Sequence, residues 1–215
     1  MAGRYRRFPP LALEIIRGTL AYALWAFLAL LALTAISLAE HPKILNYRQY
    51  VVKIEAPTGM GTGVILHNGT VLTARHVIDG AGMLVVTTYS GRVVTASKIW
   101  TSADTDIAIL QTSLGEGLAL DCRKPVWGEH ISVVGFPMDL GWILTSGVVA
   151  ATEPDPDTGL YPINVSVSPG SSGGPVLSAG GKIIGIVAQI IVNYFGPSGL
   201  AGMVPSSVIC EKIPA

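Results

Sequence analysis

The sequence predicts an all-β protein of two small antiparallel barrels behind one apolar N-terminal segment. Three observations carry this. Short β-rich runs recur between residues 50 and 205, bounded by turn signals such as Asn68-Gly69 and Ser90-Gly91. Glycine and proline are frequent, 25 and 14 of 215 residues, as many short elements joined by tight turns require. An irregular stretch from Ser113 to Pro125, with Gly115, Gly117 and a charged cluster, divides the runs into two sets of similar length. Each set is about 70–80 residues, enough for one small barrel. Barrel 1 is expected at about 50–115 and barrel 2 at about 125–205.

Residues 1–17 carry Arg4, Arg6, Arg7 and Arg17. From Gly18 to Ala39 there is no charged residue. At 1.5 Å rise per residue this span makes roughly 33 Å of helix, the thickness of a bilayer core. The preceding arginines put the N-terminus in the cytoplasm and everything after Glu40 on the far side. Ser37-Leu38-Ala39 is also a small-x-small cleavage site, so a removed signal peptide is the alternative. The apolar stretch is longer than the roughly 7–15 residues of a signal core, which favours an uncleaved single-pass anchor. Either reading exports the rest of the chain. Residues 40–49 read as a connector and 50–215 as the exported domain. Formal net charge is zero and no long basic run follows the N-terminus, which argues against nucleic acid as a partner.

The first set of strands reads as Tyr50–Ile54, Gly63–Leu66, Thr70–Thr73, Met83–Tyr89, Arg92–Trp100 and Ile107–Leu110. The second reads as Ile131–Gly135, Trp142–Ala151, Ile163–Val167, Val176–Leu177, Lys182–Val192 and Met203–Val204. Ser206 is placed to cap a short C-terminal helix over Val208–Ile213. Cys122 and Cys210 have no Cys or His neighbours at metal-ligand spacing, so no metal or other cofactor is expected. They read either as a disulfide or as two buried small hydrophobes.

Chemistry enters at Pro169-Gly170-Ser171-Ser172-Gly173-Gly174-Pro175. Three glycines in five residues permit positive φ and close approach to a ligand. Such a turn can hold a serine hydroxyl beside convergent N–H groups, as a nucleophile and its oxyanion require. A flexible Gly/Ser linker is the bland alternative. A serine nucleophile needs a base. Of His41, His67, His76 and His130, only His76 directly follows an apolar strand and a small-residue turn, in Thr73-Ala74-Arg75-His76. A structural histidine is the alternative there. The base needs an orienting acid. Asp106 immediately precedes the apolar run Ile107-Ala108-Ile109-Leu110, where a carboxylate must be hydrogen-bonded. Asp104 is its competitor and reads as a solvated turn residue.

Thr73-Ala74-Arg75-His76, Asp106-Ile107-Ala108-Ile109-Leu110 and Gly170-Ser171-Ser172-Gly173-Gly174-Pro175 occur in the order His, Asp, Ser. From about Val51 onward the chain resembles the trypsin-like serine peptidases of chymotrypsin fold, and within them the bacterial HtrA/Deg type. Gly61-Thr62-Gly63-Val64-Ile65, Ile183-Ile184-Gly185-Ile186-Val187 and Val204-Pro205-Ser206-Ser207 add to the likeness. The resemblance implies two perpendicular six-stranded barrels with the site in their cleft. It implies a serine endopeptidase with His76 as base, Asp106 as orienting acid and Ser172 as nucleophile, acting on peptide or protein substrates. By motif position, the N–H groups of Gly170 and Ser172 would form the oxyanion hole. Ser166 would lie at the base of the primary pocket, with Val187, Ala188 and Gln189 along its wall. No acidic residue sits at those positions, so cleavage after a small or medium apolar residue is expected rather than after Lys or Arg. Cys122 in the linker and Cys210 in the terminal helix come near each other in such a fold, as a disulfide would require.

The chain departs from the family in two ways. Ser171 stands where digestive relatives carry an Asp, and there is no Ile-Val-Gly-Gly start, so activation by propeptide cleavage is not expected. The HtrA/Deg enzymes carry a PDZ domain after the protease, and none is expected before Ala215. Three other functions compete. An inactive homologue serving as a membrane-anchored binding module would not need all three triad residues. An esterase would want the chain order Ser, Asp, His and a helix after the serine. A structural ectodomain leaves the His76 and Asp106 segments without a role.

Overall fold

The structure, a computed structural model, describes residues 19–32, 46–57, 59–102, 104–193 and 196–213. Two units result, Met1–Leu45 and Asn46–Ala215. In the first, residues 19–32 form a helix. Among the described residues no helix is long and apolar enough to cross a membrane. The expectation of a spanning helix over 18–39 is therefore not met by the described part. Gly18, residues 33–39 and His41 lie outside the described residues.

The second unit holds two closed antiparallel barrels of six strands each. Barrel 1 contains β1 (Val51–Ala56), β2 (Gly59–Ile65), β3 (Val71–Thr73), β4 (Leu84–Thr88), β5 (Val93–Thr101) and β6 (Ala108–Gln111), in the order β1-β2-β3-β6-β5-β4. Barrel 2 contains β7 (His130–Gly135), β8 (Ile143–Val149), β9 (Tyr161–Asn164), β10 (Pro175–Ser178), β11 (Ile183–Asn193) and β12 (Gly196–Pro205), in the order β10-β11-β12-β9-β8-β7. A one-turn helix α1 (Arg75–Ile78) follows β3, and α2 (Ser206–Lys212) follows β12.

Strand periodicity explains why the key runs are apolar on both parities. On β1, Val52 and Ile54 fill barrel 1, while Val51 faces a second core shared with barrel 2. On β6, Ala108 and Leu110 point into the barrel, and Ile109 joins the shared core. Leu177, Ile183, Ile186 and Val204 meet them from barrel 2, with Ile209 from α2. Strands buried on both faces read as continuous hydrophobic runs, hence Ile107-Ala108-Ile109-Leu110. The linker is stitched between the barrels by isolated bridges, Leu66 to Leu118 and Leu120 to Ile183. Gly117 is obligatory there, because a Cβ would lie 2.0 Å from the Ile65 carbonyl oxygen.

Several elements differ from expectation; β2 begins at Gly59 rather than Gly63, where its hairpin with β1 starts at the Ala56–Gly59 pair. β9 is Tyr161–Asn164 rather than Ile163–Val167, because its pairing with β8 ends at Val148–Asn164. β12 runs Gly196–Pro205, far longer than Met203–Val204; Gly199, Gly202 and Pro197 mask a strand that its ladder with β11 creates. Ser206 is the first helical residue and not the cap, which is Pro205, and its hydroxyl donates to the Asp121 carbonyl. That bond ties α2 to the linker beside a disulfide between Cys122 and Cys210, whose Cα atoms are 5.8 Å apart. A crosslink closing so long a loop adds about 2–4 kcal/mol.

Candidate active site

β3 and β6 are antiparallel neighbours, with Thr73 opposite Ala108. The residues just beyond the end of β3 therefore meet those just before β6. Ala74 is extended and α1 begins at Arg75, with Val77 and Ile78 buried beneath it, so His76 is projected from a fixed turn. Across from it, the Ser102 hydroxyl accepts the N–H groups of Asp104 (3.3 Å) and Thr105 (3.1 Å) and shapes the loop that presents Asp106. Asp106 then takes two bonds from one residue. Its Oδ1 accepts the His76 backbone N–H at 2.9 Å, and its Oδ2 lies 2.6 Å from His76 Nδ1.

The electrostatics agree with that geometry. The hydrogen bond to Asp106 raises the pKa of His76 above its ordinary 6.5, against the opposing effect of burial. Burial alone would raise the Asp106 carboxyl, but the ring and backbone hydrogen bonds from His76 outweigh it and hold the group below its ordinary 3.8. An ionised carboxylate can only accept, so Nδ1 carries the proton and Nε2 is left as the basic nitrogen. Asp104 lines the same cavity but pairs with Lys212 of α2, at 3.1 Å.

Ser172 lies in the loop between β9 and β10. Its turn is locked by backbone bonds: Ser171 N–H to Ser168 (2.9 Å), Gly173 N–H to Val187 (2.7 Å) and Gly174 N–H to Ser171 (2.9 Å). Gly173 has φ +81, and a Cβ there would lie 2.1 Å from the Thr62 carbonyl oxygen, so only glycine fits. Among the described residues, the N–H groups of Gly170 and Ser172 are donated to no protein acceptor. The Pro169 carbonyl accepts the Met138 N–H at 2.8 Å. A trans peptide sets its N–H opposite its C=O, so the Gly170 N–H is turned away from Met138. Among the described residues, Met138 (φ 48) and Asp139 (φ 60) are the non-glycine residues with positive φ, a conformation costing about 1–3 kcal/mol each. Lys53 of β1 holds that segment through a 3.0 Å bond to Asp139.

His76, Asp106 and Ser172 line one cavity of about 790 Å³. No hydrogen bond joins the Ser172 hydroxyl to His76 among the described residues, a contact that commonly tightens only when substrate is bound. Val187, Ala188 and Gln189 line the same cavity. Ser166 does not share it; it lines a smaller one of about 250 Å³ with Gly135, Met138 and Leu140. Its neighbour Val165 is buried in the core of barrel 2, and alternation along the extended chain turns Ser166 outward. His67 lies in the β2–β3 turn and His130 opens β7, neither on this cavity.

Other cavity residues escaped the sequence reading. Thr158, Gly159 and Leu160 form part of the rim. Their loop is held by Asp155, whose Oδ1 accepts the Thr158 N–H and hydroxyl, both at 2.9 Å. The Asp-Pro-Asp-Thr-Gly run at 155–159 signals a turn and nothing about where it lands. Arg75 lines the cavity beside His76, and its buried Nε has no hydrogen-bond partner among the described residues.

Comparisons with known proteins bear on this arrangement. The chain is 32% identical over 169 residues to a probable periplasmic serine endoprotease DegP-like of Marinomonas sp., covering 73% of this chain and 35% of that protein. It is 35% identical over 161 residues to a probable periplasmic serine protease do/HhoA-like of Haemophilus influenzae, covering 69% and 34%. The chain thus spans about a third of the length of these curated relatives. Among solved structures, the HtrA-type protease AlgW with tripeptide superposes with a TM-score of 0.72 at 24% identity, over 80% of this chain and 61% of that one. The serine endoprotease from Yersinia pestis gives 0.69 at 23%, over 80% and 64%. These two establish the shared fold. A trypsin-like peptidase domain matches residues 61–186, more than half of the sequence, and the chain belongs to that family.

Proposed function

We propose that this chain is a serine endopeptidase of the HtrA/Deg type. His76 takes the Ser172 proton as the hydroxyl attacks a peptide carbonyl, and then protonates the leaving amine. Asp106 keeps Nδ1 protonated and stabilises the imidazolium. The tetrahedral oxyanion is received by the N–H groups of Gly170 and Ser172. Water then hydrolyses the acyl-enzyme. The observation that carries this reading is the doubly bonded His76–Asp106 pair on the same cavity as Ser172. The two unclaimed N–H groups support it further.

Reduced, denatured casein is a suitable test substrate because it exposes many sequences. Casein is cut into peptides by the intact chain, and pretreatment with a fluorophosphonate stops it. Casein left whole overturns the proposal. The apolar cavity wall, with Leu160, Val167, Val187 and Ala188, supports cleavage after small or medium apolar residues. New C-termini ending mainly in Arg or Lys would contradict that preference.

The domain is placed outside the cytoplasm, as the periplasmic naming of its relatives supports. Residues 18–39 anchor it, supported by their lack of charge and by the arginines that precede them. N-terminal peptides recovered from the membrane fraction begin upstream of residue 18; a mature N-terminus at Glu40 would replace the anchor with a signal peptide.

A further inference from the structure

Thr62 stands on β2, in barrel 1, and is fully buried. It reaches across to the serine loop of barrel 2 by two routes. Its backbone N–H donates to the Ser172 carbonyl at 2.8 Å. Its hydroxyl donates to the Gly170 carbonyl at 2.7 Å, and the same oxygen accepts the Phe136 N–H at 2.9 Å. Four successive carbonyls of the loop are fixed, two of them by Thr62: Pro169 by Met138, Gly170 by the Thr62 hydroxyl, Ser171 by Gly174 and Ser172 by the Thr62 N–H. The hydroxyl also fixes Phe136, two residues before Met138, whose N–H holds the Pro169 carbonyl.

Gly170 is where this matters. Its φ is +98, and a Cβ would lie 2.5 Å from the Phe136 carbonyl oxygen, so glycine is required. Glycine imposes almost no rotational preference of its own, so its partners must set the orientation of the adjoining peptides. No water can replace the Thr62 hydroxyl at a fully buried position without rearrangement.

We propose that the Thr62 hydroxyl is a positioning group for the reaction: from barrel 1 it holds the Gly170–Ser171 peptide, which joins the two peptides that carry the Gly170 and Ser172 N–H groups, and so keeps those groups aimed at the developing oxyanion. This rests on the peptidase reading above. Donors aimed in advance at the developing charge matter to the transition state and little to binding.

Saturation kinetics of fluorophosphonate labelling test it, because the phosphonyl oxygen occupies the oxyanion position. Thr62→Val keeps the shape and removes the hydroxyl, while Thr62→Ser keeps the hydroxyl. In Thr62→Val the maximal labelling rate falls by about 10–100-fold, and the half-saturating probe concentration changes by less than about threefold. Thr62→Ser stays within about threefold of the parent in both constants. Thermal unfolding confirms that both variants are folded, and Thr62→Ala replaces Thr62→Val if the latter does not fold. Parental labelling by the hydroxyl-free variant overturns the proposal, as does an equal loss in Thr62→Ser. A parent that is not labelled at all overturns the peptidase reading and this one with it.

Discussion

Ser172→Ala lowers the turnover of denatured casein by about 10⁶-fold while leaving KM nearly unchanged. The size follows from what is removed. Without the hydroxyl there is no acyl-enzyme, and only the oxyanion donors and substrate positioning remain, which accelerate attack by water far less. Stability should scarcely change, because the Ser172 hydroxyl holds no hydrogen bond among the described residues and the position is only half-buried. Casein digestion assayed beside thermal unfolding checks both statements. A folded Ser172→Ala variant that retains a hundredth of the parental rate would remove Ser172 from the chemistry.

Asp106→Asn comes next, with an expected loss in kcat of about 10⁴-fold, roughly 5 kcal/mol of transition-state stabilisation. The carboxylate accepts from Nδ1 at 2.6 Å and so fixes which ring nitrogen is basic. An amide in its place can donate to Nδ1, which moves the ring proton to Nε2 and removes the base. The pH profile carries a second signature. Hydrogen bonding to Asp106 favours the imidazolium, so His76 loses its proton at a higher pH than an ordinary imidazole of pKa 6.5. Activity needs the neutral ring. In the parent it therefore rises with pH along a limb displaced above 6.5, and in Asp106→Asn the residual activity rises along a limb displaced to lower pH. An unmoved limb would mean that another group sets the His76 charge. Stability follows the opposite sense: the raised His76 pKa contributes fully below pH 6.5 and is lost as pH rises through the folded value.

The architecture was largely legible because most strands are short, apolar and flanked by turn residues. Where composition and pairing disagree, pairing wins. Val165 to Val167 has strand composition and no partner in the ladder, while β12 has poor composition and a long partner in β11. The apolar signal at 18–39 and the described helix at 19–32 overlap, and among the described residues no helix is long and apolar enough to cross a membrane. His76, Asp106 and Ser172 each sit beside a strand end or in a glycine turn whose local pattern singles them out as candidates, and the structure brings all three to one cavity. Ser166 lines the smaller cavity instead of the one that holds Ser172, a difference that motif spacing does not register because it says nothing of which way a side chain leaves the backbone. Thr62 and Met138 carried no signal for their contacts. Thr62 lies 108 positions from Gly170 in sequence, and only closure of the two barrels against each other brings them together.

The central claim, that Ser172 is the activated nucleophile, is tested most directly by mapping the adduct of a fluorophosphonate probe by tandem mass spectrometry. One phosphonyl group on Ser172, absent from Ser172→Ala and from heat-unfolded protein, is the predicted result. An adduct on another residue, or labelling that persists in Ser172→Ala, would contradict it.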